Sequence, residues 1–178
     1  MKISELQIPD LKVFDPQIIE DDRGYFFESF NQKKFNDALG ANIIFVQDNQ
    51  SKSSKGIIRG LHFQKEPFCQ GKLVRVLSGE VFDVVVDIRK NSKTFSQWEG
   101  IYLNCKNKKQ LWIPPGFAHG FMVTSEEAVF AYKVTQFFNK EHEVVIRHDD
   151  EYLAISWPKN IQKKFSDKDS RGISFANL

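Results

Sequence analysis

Apolar and polar residues alternate with a period of two along most of this chain, and turn residues interrupt the alternation about every eight to twelve positions, a spacing that predicts an all-β sandwich or barrel. Residues 11–30, LKVFDPQIIEDDRGYFFESF, read as a strand, an Asp-Asp-Arg-Gly turn and a second strand. Residues 72–90, KLVRVLSGEVFDVVVDIRK, read as two strands joined in hairpin fashion at Ser78–Gly79. In the second of these, Phe82, Val84, Val86 and Ile88 face one way and Val81, Asp83, Val85 and Asp87 the other. A Pro-Pro-Gly turn splits residues 110–123, QLWIPPGFAHGFMV, and residues 128–138, AVFAYKVTQFF, form a further strand. Helical spacing occurs once with clear end signals. In residues 31–40, NQKKFNDALG, Phe35 and Leu39 lie four apart and Gly40 suits a C-terminal stop. Beyond Trp157 the alternation fades, which predicts a short helix or an extended arm laid over the barrel. No repeat, linker or low-complexity segment divides residues 1–178, so one domain is expected.

Composition narrows the function more than the fold. A formal charge of +2, spread along the chain, argues against nucleic acid as a partner, although local cations can still meet a phosphate. No stretch approaches the roughly 20 apolar residues of a membrane helix. The N-terminal MKISELQIPD lacks the apolar run of a secretory leader, so Cys69 and Cys105 read as reduced thiols and the protein as cytoplasmic. The 17 phenylalanines suggest a core and a ligand groove rich in aromatic surface.

Strand geometry filters the chemistry. In IIRGLHFQ, residues 57–64, strict alternation puts Arg59, Leu61 and Phe63 on one face and Gly60, His62 and Gln64 on the other. Lys72, Val74 and Val76 share a face, as do Ala128, Phe130, Tyr132 and Val134, so His62, Lys72 and Tyr132 can all project into one apolar cavity. Residue pattern alone leaves His62 open as a hydrogen-bonded core imidazole, a ligand or a base. A metal site is not expected, because Gln64 stands where a second histidine would complete a His-x-His pair.

Pro114-x-Gly116-x-x-His119 is similar to the second motif of the cupin superfamily, whose members are double-stranded β-helix (jelly-roll) barrels, and it would set His119 at the barrel mouth. Over nearly the whole chain the sequence resembles the dTDP-4-dehydrorhamnose 3,5-epimerases, metal-free cupins that act on nucleotide-linked 4-keto-6-deoxy sugars. DDRGYFFESFNQKKF, FVQDNQSKSSKGIIRGLHFQ, QGKLVRVLSGEVFDVVVDIRKNSKTF, QLWIPPGFAHGF, FAYKVT and SWP carry the likeness. The resemblance implies a cupin-type barrel with a few short peripheral helices and no cofactor. It implies His62 as catalytic base, Asp169 as its carboxylate partner, Tyr132 on the opposite side of the sugar and Lys72 beside the keto oxygen. For the nucleotide it offers Arg23, Phe26, Glu28, Gln47, Asn49, Arg59 and His119, with Phe138 where the family usually has a stacking tyrosine. Arg23, Phe26 and Glu28 would reach a neighbouring subunit's site, so a homodimer with exchanged strands is implied. Gln50, Cys69, His148 and Glu151 also depart from the family pattern, away from the implied proton-transfer groups.

The implied reaction is inversion of C3 and C5 of dTDP-4-keto-6-deoxy-D-glucose, on the way to dTDP-L-rhamnose and bacterial surface polysaccharide. A ketone at C4 acidifies both neighbouring C–H bonds, and an enolate intermediate needs a base, a cation at the oxygen and an acid on the far face. The alternatives are a C3-only epimerase, a CDP- or GDP-linked substrate, and a sugar-nucleotide-binding jelly roll without activity. The proposed base and the proposed phosphate-binding Arg59 fall on opposite faces of one strand under strict alternation. Either a β-bulge at Gly60 or an Arg59 that reaches round the rim must bring them to one ligand.

Overall fold

The computed structural model describes residues 1–178. The strands β1 (Lys2–Glu5), β2 (Lys12–Asp15), β3 (Ile19–Asp21) and β4 (Gly24–Phe26) precede the helix α1 (Gln32–Leu39). There follow β5 (Gln47–Ser54), β6 (Ile58–Gln64), β7 (Lys72–Ser78), β8 (Glu80–Asp87) and β9 (Trp98–Asn104). Next come β10 (Gln110–Ile113), β11 (Phe117–Val123), β12 (Glu127–Val134) and β13 (Glu143–Val145), and the one-turn helix α2 (Asp167–Ser170) lies near the end. No helix is long and apolar enough to cross a membrane.

Two antiparallel sheets face each other as a cupin-type jelly roll, one ordered β1-β2-β10-β7-β12-β5 and the other β13-β6-β11-β8-β9. Inward residues of both sheets fill the space between them, among them Val74 and Val76 of β7, Val81 and Val85 of β8, Phe117 and Phe121 of β11, and Phe130 of β12. The alternation read from the sequence for β7, β8 and β12 is the alternation observed. Both faces of β8 are buried, however. Val84 and Val86 point outward under Leu153, Trp157 and Phe175 of the C-terminal tail, which packs over the five-stranded sheet. The other outer face, on the six-stranded sheet, carries α1, where Phe35 packs on Phe14, Leu73 and Trp112. Asn31 caps this helix by accepting from the Lys34 N–H, and Gly40 ends it at φ +61°.

The hairpin expectation at Ser78–Gly79 is corrected. β7 pairs with β10 and β12, β8 pairs with β11 and β9, and the two never pair with each other. The turn is a corner from one sheet to the other. A hairpin would set Val74 and Val76 beside Val81 and Val85, whereas a corner sets them opposite one another and buries both rows. Gly79 permits the corner, since a Cβ there would lie 2.0 Å from the Glu127 carbonyl oxygen.

The Gly60 question resolves as a bulge. His119 of β11 pairs with His62 of β6, but Phe121, two residues on, pairs with Arg59, three residues back. The extra residue on β6 breaks the alternation, so Arg59 and His62 share the inward face while Leu61 packs outward with Ile58 and Phe63. Gly60 adopts φ +127°, and a Cβ on it would sit 2.5 Å from Gly120 Cα and 2.8 Å from the His119 carbonyl oxygen. Only a bare α-carbon allows the two strands this approach. Gly60→Ala is therefore expected to lower stability by about 2–4 kcal/mol, from disfavoured backbone plus overpacking, measured as a fall in the urea midpoint.

Candidate active site

The bulge opens onto a cavity of about 310 Å³ inside the barrel. Arg59 and His62 of β6, Lys72 of β7, His119 of β11 and Tyr132 of β12 line it, with Phe138 from the segment after β12. Five elements separated by up to 79 residues of sequence thus meet, and His62, Lys72 and Tyr132, the three that strand faces allow in one cavity, are among them.

His62 Nε2 lies 2.6 Å from Asp169 Oδ1. Asp169 belongs to α2, which the tail brings in along the edge of β6 that β13 leaves open. Main-chain bonds hold the tail there, from Ile58 N–H to the Lys164 carbonyl (2.7 Å) and from Lys164 N–H to the Gly56 carbonyl (2.9 Å). Asp169 is 4% exposed. Ser166, the cap of α2, accepts from the Asp169 N–H and donates its hydroxyl proton to Asp169 Oδ2 at 2.7 Å. Burial pushes the Asp169 carboxyl up, but the hydrogen bonds from His62 and Ser166 outweigh it and hold the group below the usual carboxylate range. An ionised Asp169 accepts the Nε2 proton of His62, which fixes the tautomer and leaves the Nδ1 lone pair to take a proton.

Lys72 is 8% exposed and donates to the His62 carbonyl oxygen at 3.2 Å. Burial pulls its pKa down to about 8, against the opposing charges of Asp83 and Glu143. Tyr132 is shifted the other way: burial raises its phenol, so the group keeps its proton at neutral pH. Arg59 donates from Nε to Ser53 Oγ at 2.9 Å, and its terminal nitrogens have no protein partner, which leaves a fork for an anion.

His119 lies deeper than a barrel mouth, at 6% exposure, because β11 runs through the centre of its sheet. Its Nε2 faces both oxygens of Asp83, at 3.0 and 2.9 Å. Burial raises Asp83 and lowers His119, each against the other's charge. The strand reading set Asp83 on one face with Val81 and Val85, without saying which face points inward and without giving it a role. A carboxylate between Val81 and Val85 on a buried face was the available signal, since such a group needs a partner. Glu143 and Lys168 also line the cavity and pair with each other at 2.6 Å. Lys168 adjoins Asp169, while Glu143 sits on a three-residue edge strand that no pattern marked.

The nucleotide-side candidates divide. Asn49 lines the cavity together with Gln50 and Ser51, and Gln47 sits behind, donating to Asn49 Oδ1 at 2.8 Å and accepting from the Phe138 N–H at 3.3 Å. Arg23, Phe26 and Glu28 lie elsewhere. Arg23 bonds Asp21 across the β3–β4 turn, Phe26 is 70% exposed, and Glu28 pairs with Lys34 at 2.8 Å. None of the three lines this chain's own cavity. No three of the histidine, cysteine and carboxylate side chains converge as metal ligands would.

A cupin barrel that encloses a His–Asp pair, a buried lysine and a protonated tyrosine holds groups able to take up and give back protons. The comparisons with known proteins agree. The family profile described as dTDP-4-dehydrorhamnose 3,5-epimerase matches residues 5–177. A dTDP-4-dehydrorhamnose 3,5-epimerase of Shigella flexneri is 52% identical over 177 residues, 99% of this chain and 97% of the relative. A crystal structure of the Legionella pneumophila dTDP-6-deoxy-D-glucose-3,5-epimerase in complex with dTDP-4-keto-L-rhamnose superposes with a TM-score of 0.96 at 50% identity, over 99% of this chain and 94% of that one. A 3'-monoepimerase of Streptomyces bikiniensis in complex with dTDP-quinovose gives 0.91 at 29% identity, over 96% and 86%. The chain belongs to the dTDP-4-dehydrorhamnose 3,5-epimerase family, and it is an epimerase.

The electrostatics can be measured directly. An NMR titration of the Lys72 side chain is expected to show a midpoint near pH 8, and Asp83→Asn to lower it further by removing a supporting negative charge. Between pH about 8 and the ~10.4 of a solvated lysine, the unfolded chain binds the extra proton, so Lys72 makes stability rise with pH across that window.

Proposed function

We propose that this protein inverts C3 and C5 of dTDP-4-keto-6-deoxy-D-glucose by proton abstraction beside the C4 ketone, supplying dTDP-4-keto-L-rhamnose for rhamnose-containing surface polysaccharide. The observation that carries this reading is the His62–Asp169 contact at 2.6 Å, which turns Nε2 away and leaves Nδ1 as the proton acceptor. His62 Nδ1 takes the proton from carbon. The C–H electron pair becomes the C=C bond of an enolate, and the carbonyl π pair moves onto O4. Lys72 meets that developing charge in a water-poor interior, where a fixed cation counts most. Tyr132 returns a proton to the opposite face of the same carbon; His62 then gives its proton to solvent and Tyr132 regains one from it, and the sequence repeats at the second centre. A binding protein has no use for a base paired to a buried carboxylate, which weighs against the inactive jelly roll.

The diphosphate is placed at Arg59 and His119, and the nucleobase against Phe138, near Asn49 and Gln47. Arg23, Phe26 and Glu28 then serve the site of a second copy, and the active form is a homodimer. The exposed apolar side chains Ile19, Tyr25, Phe26 and Leu77 support this reading, because they crowd the β3–β4 hairpin and the outer face of the six-stranded sheet. The whole chain acts as one catalytic domain in the cytoplasm, in keeping with its two unpaired cysteines.

Incubation with dTDP-4-keto-6-deoxyglucose in D2O is expected to place deuterium at C3 and at C5, followed by proton NMR. Label at C3 alone would make the protein a monoepimerase, and label at neither would overturn the reading for this substrate. His62→Ala should slow exchange about 10²–10⁴-fold, the usual span for a lost general base. The shared site has its own test. His62→Ala and Arg23→Ala, each impaired alone, are expected to regain activity when refolded together. The mixed dimer assembles one site with both residues intact, and no recovery would mean that Arg23 serves its own subunit or none.

A further inference from the structure

Gln64 closes β6 two residues beyond His62, is 5% exposed, and has a role in neither proton transfer nor ligand contact so far. Its amide is nearly saturated. Nε2 donates to the Phe68 carbonyl at 2.7 Å and to the Phe137 carbonyl at 3.2 Å, and Oε1 accepts from the Asn139 N–H at 2.6 Å. Both amide hydrogens and one acceptor site are therefore used. The last two partners bracket Phe138, one on the peptide before it and one on the residue after it.

Packing does not hold this segment. Phe137 is 60% exposed and Phe138 is 52% exposed, so neither ring is wedged into a core. What fixes Phe138 at the cavity edge is the backbone around it, and Gln64 supplies two of the bonds, with Gln47 supplying a third at 3.3 Å. The remaining Gln64 bond, to Phe68, ties in the loop that leads to Lys72. One buried amide thus joins the loop before Lys72 to the segment that carries Phe138. Without it, two carbonyls and an N–H near the surface would turn to water, and Phe138 would lose its fixed place.

We propose that Gln64 is a positioning residue for nucleotide recognition, which sets Phe138 for stacking on the pyrimidine base of a nucleoside diphosphate. This rests on the assignment of Phe138 to the nucleobase. A pre-set aromatic face binds better than one that must be ordered during binding, so Gln64 acts on affinity and leaves the chemical step nearly alone.

The test is calorimetric titration of dTDP into the wild type, Gln64→Met, Gln64→Glu, Phe138→Ala and the Gln64→Met/Phe138→Ala double variant, with kcat and KM for each. Both Gln64 variants are expected to raise Kd for dTDP and KM by about tenfold, with kcat changed by no more than about threefold, and the double variant to bind no worse than Phe138→Ala. Gln64→Glu keeps the acceptor for Asn139 and loses both donors, so it carries the test if Gln64→Met does not fold. An unchanged Kd in Phe138→Ala would overturn the stacking assignment itself. If Phe138→Ala weakens binding, then Gln64 variants within twofold of wild type, losses that add in the double variant, or a fall confined to kcat would each overturn the role of Gln64 alone.

Discussion

Gly60 and Gly120 touch across two neighbouring strands, and the active site depends on that contact. Strict alternation sends every second side chain inward, and an inward arginine and histidine three residues apart are then forbidden. The bulge adds one residue to β6 and lets Arg59 and His62 share a face. A side chain at either glycine would push the strands apart, since a Cβ on Gly120 would meet the Arg59 carbonyl oxygen at 2.7 Å. Backbone geometry that is costly to general packing is here what puts the Arg59 guanidinium and the His62 imidazole in one cavity.

The same strand sets up the second requirement, a carboxylate behind the base. His62 faces inward, and Asp169 reaches its Nε2 from the tail, where that segment bonds along the edge of β6. The tail has independent reasons to be there. Trp157, Leu153 and Phe175 cover Val84, Val86 and Met122 on the outer face of β8 and β11, which would otherwise lie in water. Asp150 pins its end by accepting from Ser174 Oγ and the Phe175 N–H. Hydrophobic burial therefore holds the segment whose short helix presents Asp169, and Ser166 sets the carboxylate's orientation. Fold stability and the geometry of the dyad are coupled through one piece of chain.

Much of this was legible in residue order, and the reasons for the remainder are physical. Period-two patterning reads out which side chains share a face, so Lys72 and Tyr132 fall on the faces expected and the two rows of β8 separate as read, though the pattern does not say which row points inward. A pattern carries no information on which strands pair, so the Ser78–Gly79 corner looked like a hairpin. Alternation also fails by definition at a bulge, and the conflict between Arg59 and His62 was itself the sign of one. Asp169 lies 107 residues from His62 in a charge run that looks solvated, and only resemblance to a family singled it out. Glu143 had no signal at all, because three residues of edge strand are too few to show a period.

The charges inside the barrel explain why so many polar groups survive in a closed interior. Asp83 is fully buried, and alone it would shed its charge by taking a proton. It instead faces His119 and lies within electrostatic reach of Lys72, while Glu143 supports Lys72 and pairs with Lys168. Arg59, Lys72 and Lys168 stand against Asp83, Glu143 and Asp169, so the two signs match in number, and His119, held below the usual imidazole range by burial, adds no cation. The pairing is uneven in place. Glu143 holds Lys168 and Asp169 holds His62, whereas the terminal nitrogens of Arg59 have no protein partner and Lys72 donates only to the His62 carbonyl. Burial without a direct ion pair is why Lys72 gives up its proton near pH 8. An anion bound in the cavity would supply the negative charge that these two cations lack and keep Lys72 protonated.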